Sequence, residues 1–254
     1  MSQNYAVVVL WLCTAVTGCV GALPRVQSRI VGGRDTFIEQ HPYQISLRRA
    51  GSHTCGGSIL NVNHVLTAAH CVHYPHSVPA DFSIRAGSTF RNEGGRLITI
   101  SQINIHPKYD DWTLEWDISV LKLATSLLFD SKIQPIRLPT RKLTIAEGTK
   151  ASIAGWGGLH YQGPSTSHLQ HVSVPVVSNE ACSRAYENFG AIHSFHLCAG
   201  AAGIDACQGD SGGPLVVNGL LVGIVSWGYG CAFSGYPTVY TRVSEFLDFI
   251  EKHI

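Results

Sequence analysis

A serine between glycines is the clearest candidate for chemistry in this sequence. Ser211 lies in Gly-Asp-Ser-Gly-Gly-Pro at residues 209–214. Acyl transfer at neutral pH needs an activated hydroxyl, a base and hydrogen-bond donors for the oxyanion that develops on the attacked carbonyl. Because glycines let the backbone turn sharply, the amides of Gly209 and Ser211 can both face one oxygen. Taken alone, Gly-Asp-Ser-Gly also fits an ordinary turn.

A histidine and an aspartate are candidates for the base and for the group that orients it. His70 lies in Leu-Thr-Ala-Ala-His-Cys at 66–71, at the end of an apolar run and beside a cysteine that can fix its position. Asp117 opens the apolar segment 117–121 after a tryptophan, which predicts a buried carboxylate. Such a carboxylate needs a hydrogen-bond donor, and an imidazole N–H would serve. With 13 histidines in the chain, His70 also fits a structural imidazole, and Asp117 fits an ordinary residue at the start of a strand.

Short β-strands must position these three residues. Eight segments are rich in β-branched residues and bounded by Gly, Pro, Asn, Asp or Ser, which predicts strands. They are 43–47, 57–60, 82–86, 97–105, 118–123, 150–154, 214–217 and 220–226.

A helical period occurs only at the C-terminus. One face of this segment is predicted to be apolar and buried against the β-structure. Its members are Val243, Phe246, Leu247, Ile250 and Ile254. Thr241 or Ser244 is predicted to cap the helix.

Length and charge exclude several classes of protein. A chain of 254 residues suits one large all-β domain or two small ones. The sequence has 18 Lys and Arg against 17 Asp and Glu, with no basic run or acidic tail. This balance argues against nucleic acid or an anionic membrane as the main partner.

The N-terminus predicts secretion. An apolar stretch at 6–20 is followed by the small residues Gly21 and Ala22, which is typical of a signal peptide over 1–22. A buried strand or helix is the alternative interpretation.

The cysteines agree with an exported protein. Two of the eight lie in the predicted signal, and an even number remains, which predicts three disulfides with 15 possible connectivities. No C-x-x-C pair occurs, which argues against a zinc ribbon or a redox motif. The six remaining cysteines are Cys55, Cys71, Cys182, Cys198, Cys207 and Cys231.

A processing site is predicted between Arg29 and Ile30. A short polar segment at 23–29 ends in a basic residue and is followed by Ile-Val-Gly-Gly, which indicates an accessible site. We therefore expect a propeptide at 23–29 and a mature domain at 30–254.

Together the motifs closely resemble the trypsin/chymotrypsin family of serine proteases. The resemblance covers residues 30–254. It rests on Ile-Val-Gly-Gly, Cys-Gly-Gly-Ser-Ile-Leu, Thr-Ala-Ala-His-Cys, Asp-Ile-Ser-Val-Leu, Gly-Trp-Gly, Cys-Gln-Gly-Asp-Ser-Gly-Gly-Pro and Val-Ser-Trp-Gly.

The resemblance implies both a fold and a mechanism. The fold is all-β, with two packed six-stranded antiparallel Greek-key barrels, at about 30–138 and 139–254, a C-terminal helix and the active site between the barrels. In the mechanism Ser211 is the nucleophile, His70 is the base and Asp117 orients His70. The amides of Gly209 and Ser211 form the oxyanion hole.

The resemblance also implies an activation step and a disulfide pattern. After cleavage at Arg29, the new ammonium of Ile30 would pair with Asp210 and order the loop that carries the oxyanion hole. The implied disulfides are Cys55–Cys71, Cys182–Cys198 and Cys207–Cys231.

A substrate pocket follows from the same resemblance. Asp205 is its base and would select Arg or Lys by charge. The other substrate-binding residues would be Ala206, Gln208, Ser226, Trp227, Gly228 and Thr238. Thr238 departs from the family, which has Gly there, and its side chain should narrow the pocket and can bond Asp205. A preference for small or apolar side chains is the alternative.

We expect no cofactor and no metal. The loop that binds calcium in pancreatic-type trypsins is short of acids here and contains Arg91, although calcium needs several oxygen ligands. The expected partners are protein or peptide substrates and protein inhibitors, with the enzyme a monomer. A catalytically inactive homologue that acts as a binding module is the main alternative, and a digestive or a cascade role is left open.

Overall fold

The structure is a computed structural model that describes residues 30–254. The predicted signal peptide and propeptide, including Arg29, lie outside the described residues. Two closed six-stranded antiparallel barrels form most of the fold, which confirms the expected architecture. The strands are numbered here in chain order, beginning with β1 (Arg34–Asp35).

The N-terminal barrel closes in the order β2-β3-β4-β7-β6-β5. Its strands are β2 (Gln44–Arg49), β3 (Ser52–Ile59), β4 (His64–Thr67), β5 (Phe82–Ala86), β6 (Arg96–Ile105) and β7 (Ser119–Leu123). In β5, Phe82 and Ile84 are buried while Ser83 and Arg85 are partly exposed, so successive side chains alternate between the core and the outer face.

The C-terminal barrel has the order β9-β10-β13-β12-β11-β8, and pairing of β8 with β9 closes it. Its strands are β8 (Lys150–Gly155), β9 (Gln170–Val177), β10 (His196–Ala199), β11 (Pro214–Val217), β12 (Leu220–Trp227) and β13 (Thr238–Arg242). Strand β1 pairs with β9 through Arg34 and His171, so the start of the described chain packs on this barrel. The expected sequence range of the N-terminal barrel, about 30–138, therefore includes a segment that belongs structurally to the other barrel.

Every predicted strand exists, and five further strands and one helix were missed. Missed strands include β4 and β10, which have four residues each, and β9, which carries Pro175 in its interior, a residue that argues against a central strand. Helix α1 (Asn179–Ala185) was also missed because seven residues are too few to show a helical period. The remaining missed strands are β1 and β13.

The C-terminal helix forms, but its details differ from the prediction. A 3₁₀ turn (Val243–Phe246) runs directly into α2 (Leu247–Lys252). Ile254 is about half exposed, so its predicted place on the buried face was wrong, whereas the other four members are buried. Neither predicted cap forms a cap bond. The start of α2 continues the 3₁₀ turn, and the Thr241 hydroxyl donates instead to the carbonyl of Asp117, at 2.8 Å.

Three disulfides crosslink the described chain: one joins β3 to the loop after β4, one joins α1 to β10, and one joins the loops before β11 and after β12. The pairs are those implied by the resemblance, namely Cys55–Cys71, Cys182–Cys198 and Cys207–Cys231. Within residues 30–254, the helices are all too short and too polar to cross a membrane.

Candidate active site

Ser211 lies where a loop of the C-terminal barrel meets the N-terminal barrel. Its carbonyl accepts a hydrogen bond from the Gly56 amide at 2.8 Å. Gly212, at φ +75°, lies so close to β4 that an added Cβ would be 2.2 Å from the Thr67 hydroxyl. Only glycine fits such an approach in this conformation, so the glycines beside Ser211 bring it to the interface between the barrels.

His70 and Asp117 form a hydrogen-bonded pair next to this loop. His70 Nδ1 donates to Asp117 Oδ2 at 2.7 Å, and the His70 amide donates to Oδ1 at 2.9 Å. The Cys55–Cys71 disulfide lies beside the imidazole, with Cys71 Sγ 3.6 Å from His70 Nε2. Since Nδ1 donates to the carboxylate, the lone pair of Nε2 is left for a proton from a nucleophile.

The buried Asp117 carboxylate is also bonded from the C-terminal barrel. Ser226 Oγ donates to Oδ2 at 2.6 Å. Burial of a carboxylate is costly unless donors satisfy it, and donors from both barrels do so here. The sequence assigned Ser226 to substrate binding and missed this contact, as it missed that of Thr241 to the Asp117 carbonyl.

Asp117 changes the proton affinity of His70. Burial lowers the pKa of His70, but the charge of Asp117 and its hydrogen bond together outweigh burial, so the pKa is raised. A raised pKa makes the imidazole a stronger base toward a hydroxyl proton. Within the described residues, Ser211 Oγ makes no hydrogen bond to His70; contacts of this kind often tighten only when substrate binds.

Two backbone amides beside Ser211 are available to an oxyanion. Within residues 30–254, the N–H groups of Gly209 and Ser211 donate to no acceptor, although the neighbouring amides of Asp210, Gly212 and Gly213 all do. Gly209 has φ +95°, which glycine adopts readily. This pair is therefore able to bind a developing negative charge.

His53 fixes the carbonyl of Gly209. Its Nε2 donates to that carbonyl at 3.0 Å, and its Nδ1 accepts from Ser46 Oγ at 2.8 Å. Burial lowers the pKa of His53 to about 4, only partly opposed by the bond to Gly209, so the ring is neutral at pH 7. Because the carbonyl of Gly209 is held, the orientation of the loop that presents the amides is held too. No local sequence pattern marks this role for His53 among the 13 histidines.

A cavity of about 110 Å³ opens beside Ser211. All of the substrate-binding residues expected to surround Asp205 line it: Ala206, Gln208, Ser226, Trp227, Gly228 and Thr238. Asp205 itself is buried behind this lining.

The Asp205 carboxylate lies among hydrogen-bond donors, and no cation from residues 30–254 lies within 4.0 Å of it. It accepts from the amides of Ala206 at 2.9 Å and Ala232 at 3.2 Å, and the nearby Thr238 hydroxyl also favours its charged form. Burial raises the pKa of Asp205 to about 7, more than these donors lower it. A positively charged ligand would therefore pair with this carboxylate and favour its ionised form.

A second buried carboxylate lies beneath the Ser211 loop. Asp210 accepts from the amides of Gly157 at 2.8 Å and Cys207 at 3.0 Å. No cation lies within 4.0 Å of it among residues 30–254, and burial raises its pKa to about 6. The fully buried Ile30 belongs to the core of the same barrel.

Comparison with known proteins agrees with this geometry. The family model described as Trypsin matches residues 30–250. Trypsin delta of Drosophila melanogaster is 48% identical over 227 residues, which is 88% of both chains. Trypsin alpha of the same fly is 47% identical over 228 residues, 88% of this chain and 87% of the relative. Trypsin 5G1 of Aedes aegypti is 42% identical over 231 residues, 90% and 86% of the two chains.

This chain belongs to the trypsin family. It is a serine endopeptidase with protein substrates. Within this trypsin-family fold, the residues that sequence motifs singled out are brought together from both barrels. His53, Thr241 and Ala232 are additional contributors that no motif marked.

We expect His53→Leu to lower kcat about 10- to 100-fold with little change in KM. Loss of the bond to the Gly209 carbonyl frees the loop that presents the oxyanion donors, and loss of a whole donor costs about 10²–10³ in kcat. His53→Gln keeps an N–H that can reach the carbonyl and should recover part of the rate. Steady-state kinetics on one peptide amide would decide. A fall in thermal stability with kcat unchanged would show that His53 only supports packing.

Proposed function

We propose that this protein is a secreted endopeptidase that cleaves after Arg or Lys through Ser211, His70 and Asp117, and that it is made as a zymogen. The observation that carries the proposal is the 2.7 Å bond from His70 Nδ1 to the buried Asp117, beside a serine loop with two undonated amides. The likeness to trypsins supports the reaction class.

Each residue has a defined role in the proposed reaction. Ser211 Oγ attacks the scissile carbonyl while His70 Nε2 takes its proton, and the amides of Gly209 and Ser211 bind the oxyanion. His70 then gives the proton to the leaving amine. Water hydrolyses the acyl-enzyme by the same proton transfers. Asp117 stays ionised and stabilises the imidazolium.

Replacement of Ser211 by Ala should lower kcat by about 10⁴- to 10⁶-fold and abolish covalent labelling by an organophosphonate, because it removes the hydroxyl that attacks both the substrate carbonyl and the reagent. The cleaved enzyme would be treated with the reagent and the modified peptide identified by mass spectrometry. Ser183→Ala, on α1, is the matched control and should leave both readings unchanged. Failure of the unaltered enzyme to label or turn over would support the inactive homologue.

Asp205 is the reason to expect basic side chains in the pocket. A buried carboxylate without a cation is costly, and a substrate guanidinium or ammonium would supply one. Thr238 opposes this preference, because its side chain lines the cavity and its hydroxyl already favours the charged form of Asp205 without a ligand. With a pKa of about 7, Asp205 is partly neutral before substrate binds.

The position of Thr238 and the raised pKa of Asp205 also favour a second candidate specificity. A pocket narrowed by Thr238 and closed by a half-neutral carboxyl would accept small or apolar side chains with less penalty. The reaction is unchanged in this alternative, and only the side chain before the scissile bond differs.

We expect Thr238→Gly to raise kcat/KM for Arg and Lys peptides, by about 10-fold or more relative to Ala and Phe peptides, because it opens the path to Asp205. Four peptides matched except at that side chain would be compared. Higher kcat/KM for the Ala or Phe peptide in the unaltered enzyme would overturn the Arg/Lys proposal.

The pH dependence of kcat/KM for these peptides provides an internal control. A cationic side chain requires ionised Asp205, so acidification through pH 7 protonates the carboxyl and opposes binding of Arg or Lys. The ratio of kcat/KM for Arg over Ala should therefore fall as pH drops from about 8 to 6. Because His70 titrates equally for both substrates, it cancels in the ratio.

Activation by cleavage after Arg29 is proposed from the state of Ile30 and Asp210. Ile30 has φ +39°, which is costly for a β-branched residue, and cleavage of the preceding bond would release that constraint. Cleavage also creates an ammonium that the unpaired Asp210 carboxylate can bind. The Val31 carbonyl accepts from the Asp205 amide at 3.2 Å, so this segment already contacts the pocket loop.

The Arg29→Gln precursor should have at least about 100-fold lower kcat/KM than the cleaved enzyme, because an unpaired Asp210 leaves the oxyanion loop less well fixed. Its unfolding free energy should also depend on Asp210. The folded-state pKa is raised from about 4 to about 6, so the folded chain binds more protons in this window, and stability falls as pH rises through it. The loss is roughly 3 kcal/mol.

An Arg29→Gln/Asp210→Asn chain is the control for this effect. It should show a smaller loss of stability between pH 4 and 6 in denaturant titrations. Equal activity of the Arg29→Gln precursor and the cleaved enzyme would refute the activation proposal. Secretion, a monomeric state and inhibition by protein inhibitors complete the proposal.

A further inference from the structure

Two residues in the loop that leads into Asp117 have an unusual backbone conformation. Leu114 has φ +56° and Trp116 has φ +51°. Left-handed backbone is uncommon for bulky side chains, and a strained conformation persists only where the surrounding structure holds it. Because Asp117 follows directly, the contacts that hold residues 114–116 also affect the position of its carboxylate.

Backbone hydrogen bonds within this loop hold residues 114–116 only in part. The Leu114 amide donates to the Asp110 carbonyl at 2.9 Å, and the Ile118 amide donates to the Trp116 carbonyl at 2.8 Å. The Glu115 carbonyl accepts from the Asp110 amide at a longer distance, 3.3 Å. These bonds close turns, but other contacts must place the side chains of Glu115 and Trp116.

Both side chains contact the segment between α1 and β10, which belongs to the C-terminal barrel. His193 Nε2 donates to Glu115 Oε1 at 2.9 Å. Trp116 stacks on Phe195, with ring centroids 5.1 Å apart and 27° between the ring planes. Phe195 stacks in turn on His193, at 4.9 Å and 21°. The hydrogen bond and the three rings form one closed set of contacts, which we call the Glu115–His193 clamp.

The backbone of His193 is fixed by the C-terminal barrel. Its amide donates to His196 Nδ1 at 3.1 Å, and its carbonyl accepts from the His196 amide at 3.0 Å and from Asn179 Nδ2 at 3.1 Å. His196 is buried and begins β10, and Asn179 begins α1. A hydrogen bond between two flexible exposed side chains contributes little, whereas this one starts from a fixed base and can restrain Glu115.

We propose that Glu115 and His193 are positioning residues that hold Asp117 in place against His70. This inference rests on the proposed endopeptidase function and deepens it, because the bond from His70 to Asp117 orients the base in that reaction. Neither Glu115 nor His193 forms a hydrogen bond with His70 or Ser211 within residues 30–254, so both act through the segment that ends at Asp117. A misplacement of about 1 Å at a reacting group can cost about 100-fold in rate.

Glu115→Ala and His193→Phe test the clamp through kcat. The phenylalanine keeps a ring that can stack on Phe195 but removes the N–H group. Each variant should lower kcat about 5- to 50-fold with little change in KM, because Asp117 is displaced while the substrate pocket is unchanged. Since both changes remove the same bond, the double variant should be at most about 2-fold slower than the slower single variant. Losses that multiply would show two independent effects and would overturn the proposal.

A short substrate excludes direct contact with Glu115 from this comparison. Glu115 borders a cavity of about 330 Å³ that Trp112 and Trp227 also line. An acetylated single amino acid 4-nitroanilide, with the side chain that the enzyme prefers, occupies only the pocket beside Ser211. A rise in KM with kcat unchanged would show that Glu115 only contacts substrate and would overturn the proposal.

Glu115→Gln separates the position of Asp117 from the charge of Glu115. Its amide oxygen can still accept from His193, so this variant should retain most of the kcat that Glu115→Ala loses. The charge of Asp117 raises the pKa of His70, so displacement of Asp117 in Glu115→Ala should lower that pKa. Equal falls in the pKa of His70 in both variants would show that only the charge of Glu115 matters. Glu187→Ala, an exposed acid just after α1, is the matched control and should change neither reading.

An NMR titration separates this proposal from the proposed function, because it needs no turnover. The Cε1–H proton of His70, assigned by its loss in His70→Gln, would be titrated in the unaltered protein and in each variant. A lower pKa of His70 in Glu115→Ala and His193→Phe, but not in Glu115→Gln, supports the clamp even if no substrate is cleaved, which would refute only the endopeptidase proposal. An unchanged pKa of His70 in a folded Glu115→Ala protein would overturn the clamp while leaving the proposed function intact.

Discussion

The buried carboxylate of Asp117 is the group on which both the fold and the site depend. A carboxylate removed from water is stable only if hydrogen-bond donors replace its hydration, and no single strand could supply them. The His70 amide and ring come from the N-terminal barrel, while the Ser226 hydroxyl comes from the C-terminal barrel. The same hydrogen bonds to Asp117 therefore hold the two barrels together and orient the His70 imidazole. Any change that separates the barrels would expose the Asp117 carboxylate and displace the His70 imidazole at the same time.

Two other buried carboxylates are satisfied less completely. Asp205 and Asp210 accept only from neutral donors within residues 30–254, and burial raises the pKa values of both. In the proposed mechanism each receives its cation from elsewhere: Asp205 from the substrate side chain and Asp210 from the Ile30 ammonium after cleavage. In that mechanism each of these two buried carboxylates gains a cation only from the correct substrate or from the correct processing step. The fold tolerates both carboxylates because burying each one without a cation costs only a few kcal/mol of stability. The disulfides and the two hydrophobic cores stabilise the surrounding loops.

The sequence predicted those parts of the structure that depend on local pattern. Phe82–Ala86 and Pro214–Val217 have the predicted bounds because alternation or a β-rich run between turn residues is visible in a few residues. Strand β9 was hidden by Pro175, and Thr241 was misassigned as a cap because its real partner, the Asp117 carbonyl, is 124 residues away. His53 was missed for the same reason, since its contact with Gly209 spans 156 residues. Motif resemblance located the groups expected to react, whereas the groups that hold them in place are set by long-range packing.

His53 links β3 of the N-terminal barrel to the loop that carries Ser211. A neutral ring is required if Nδ1 is to accept from Ser46 while Nε2 donates to the Gly209 carbonyl. Burial is the main reason that the pKa of His53 is lowered, and the positive charges of Arg91 and Arg48 lower it further. Arg48 and Arg91 therefore favour the protonation state of His53 that holds the Gly209 carbonyl. Burial has the larger effect on this pKa, so the ring stays neutral even where salt screens the two arginines.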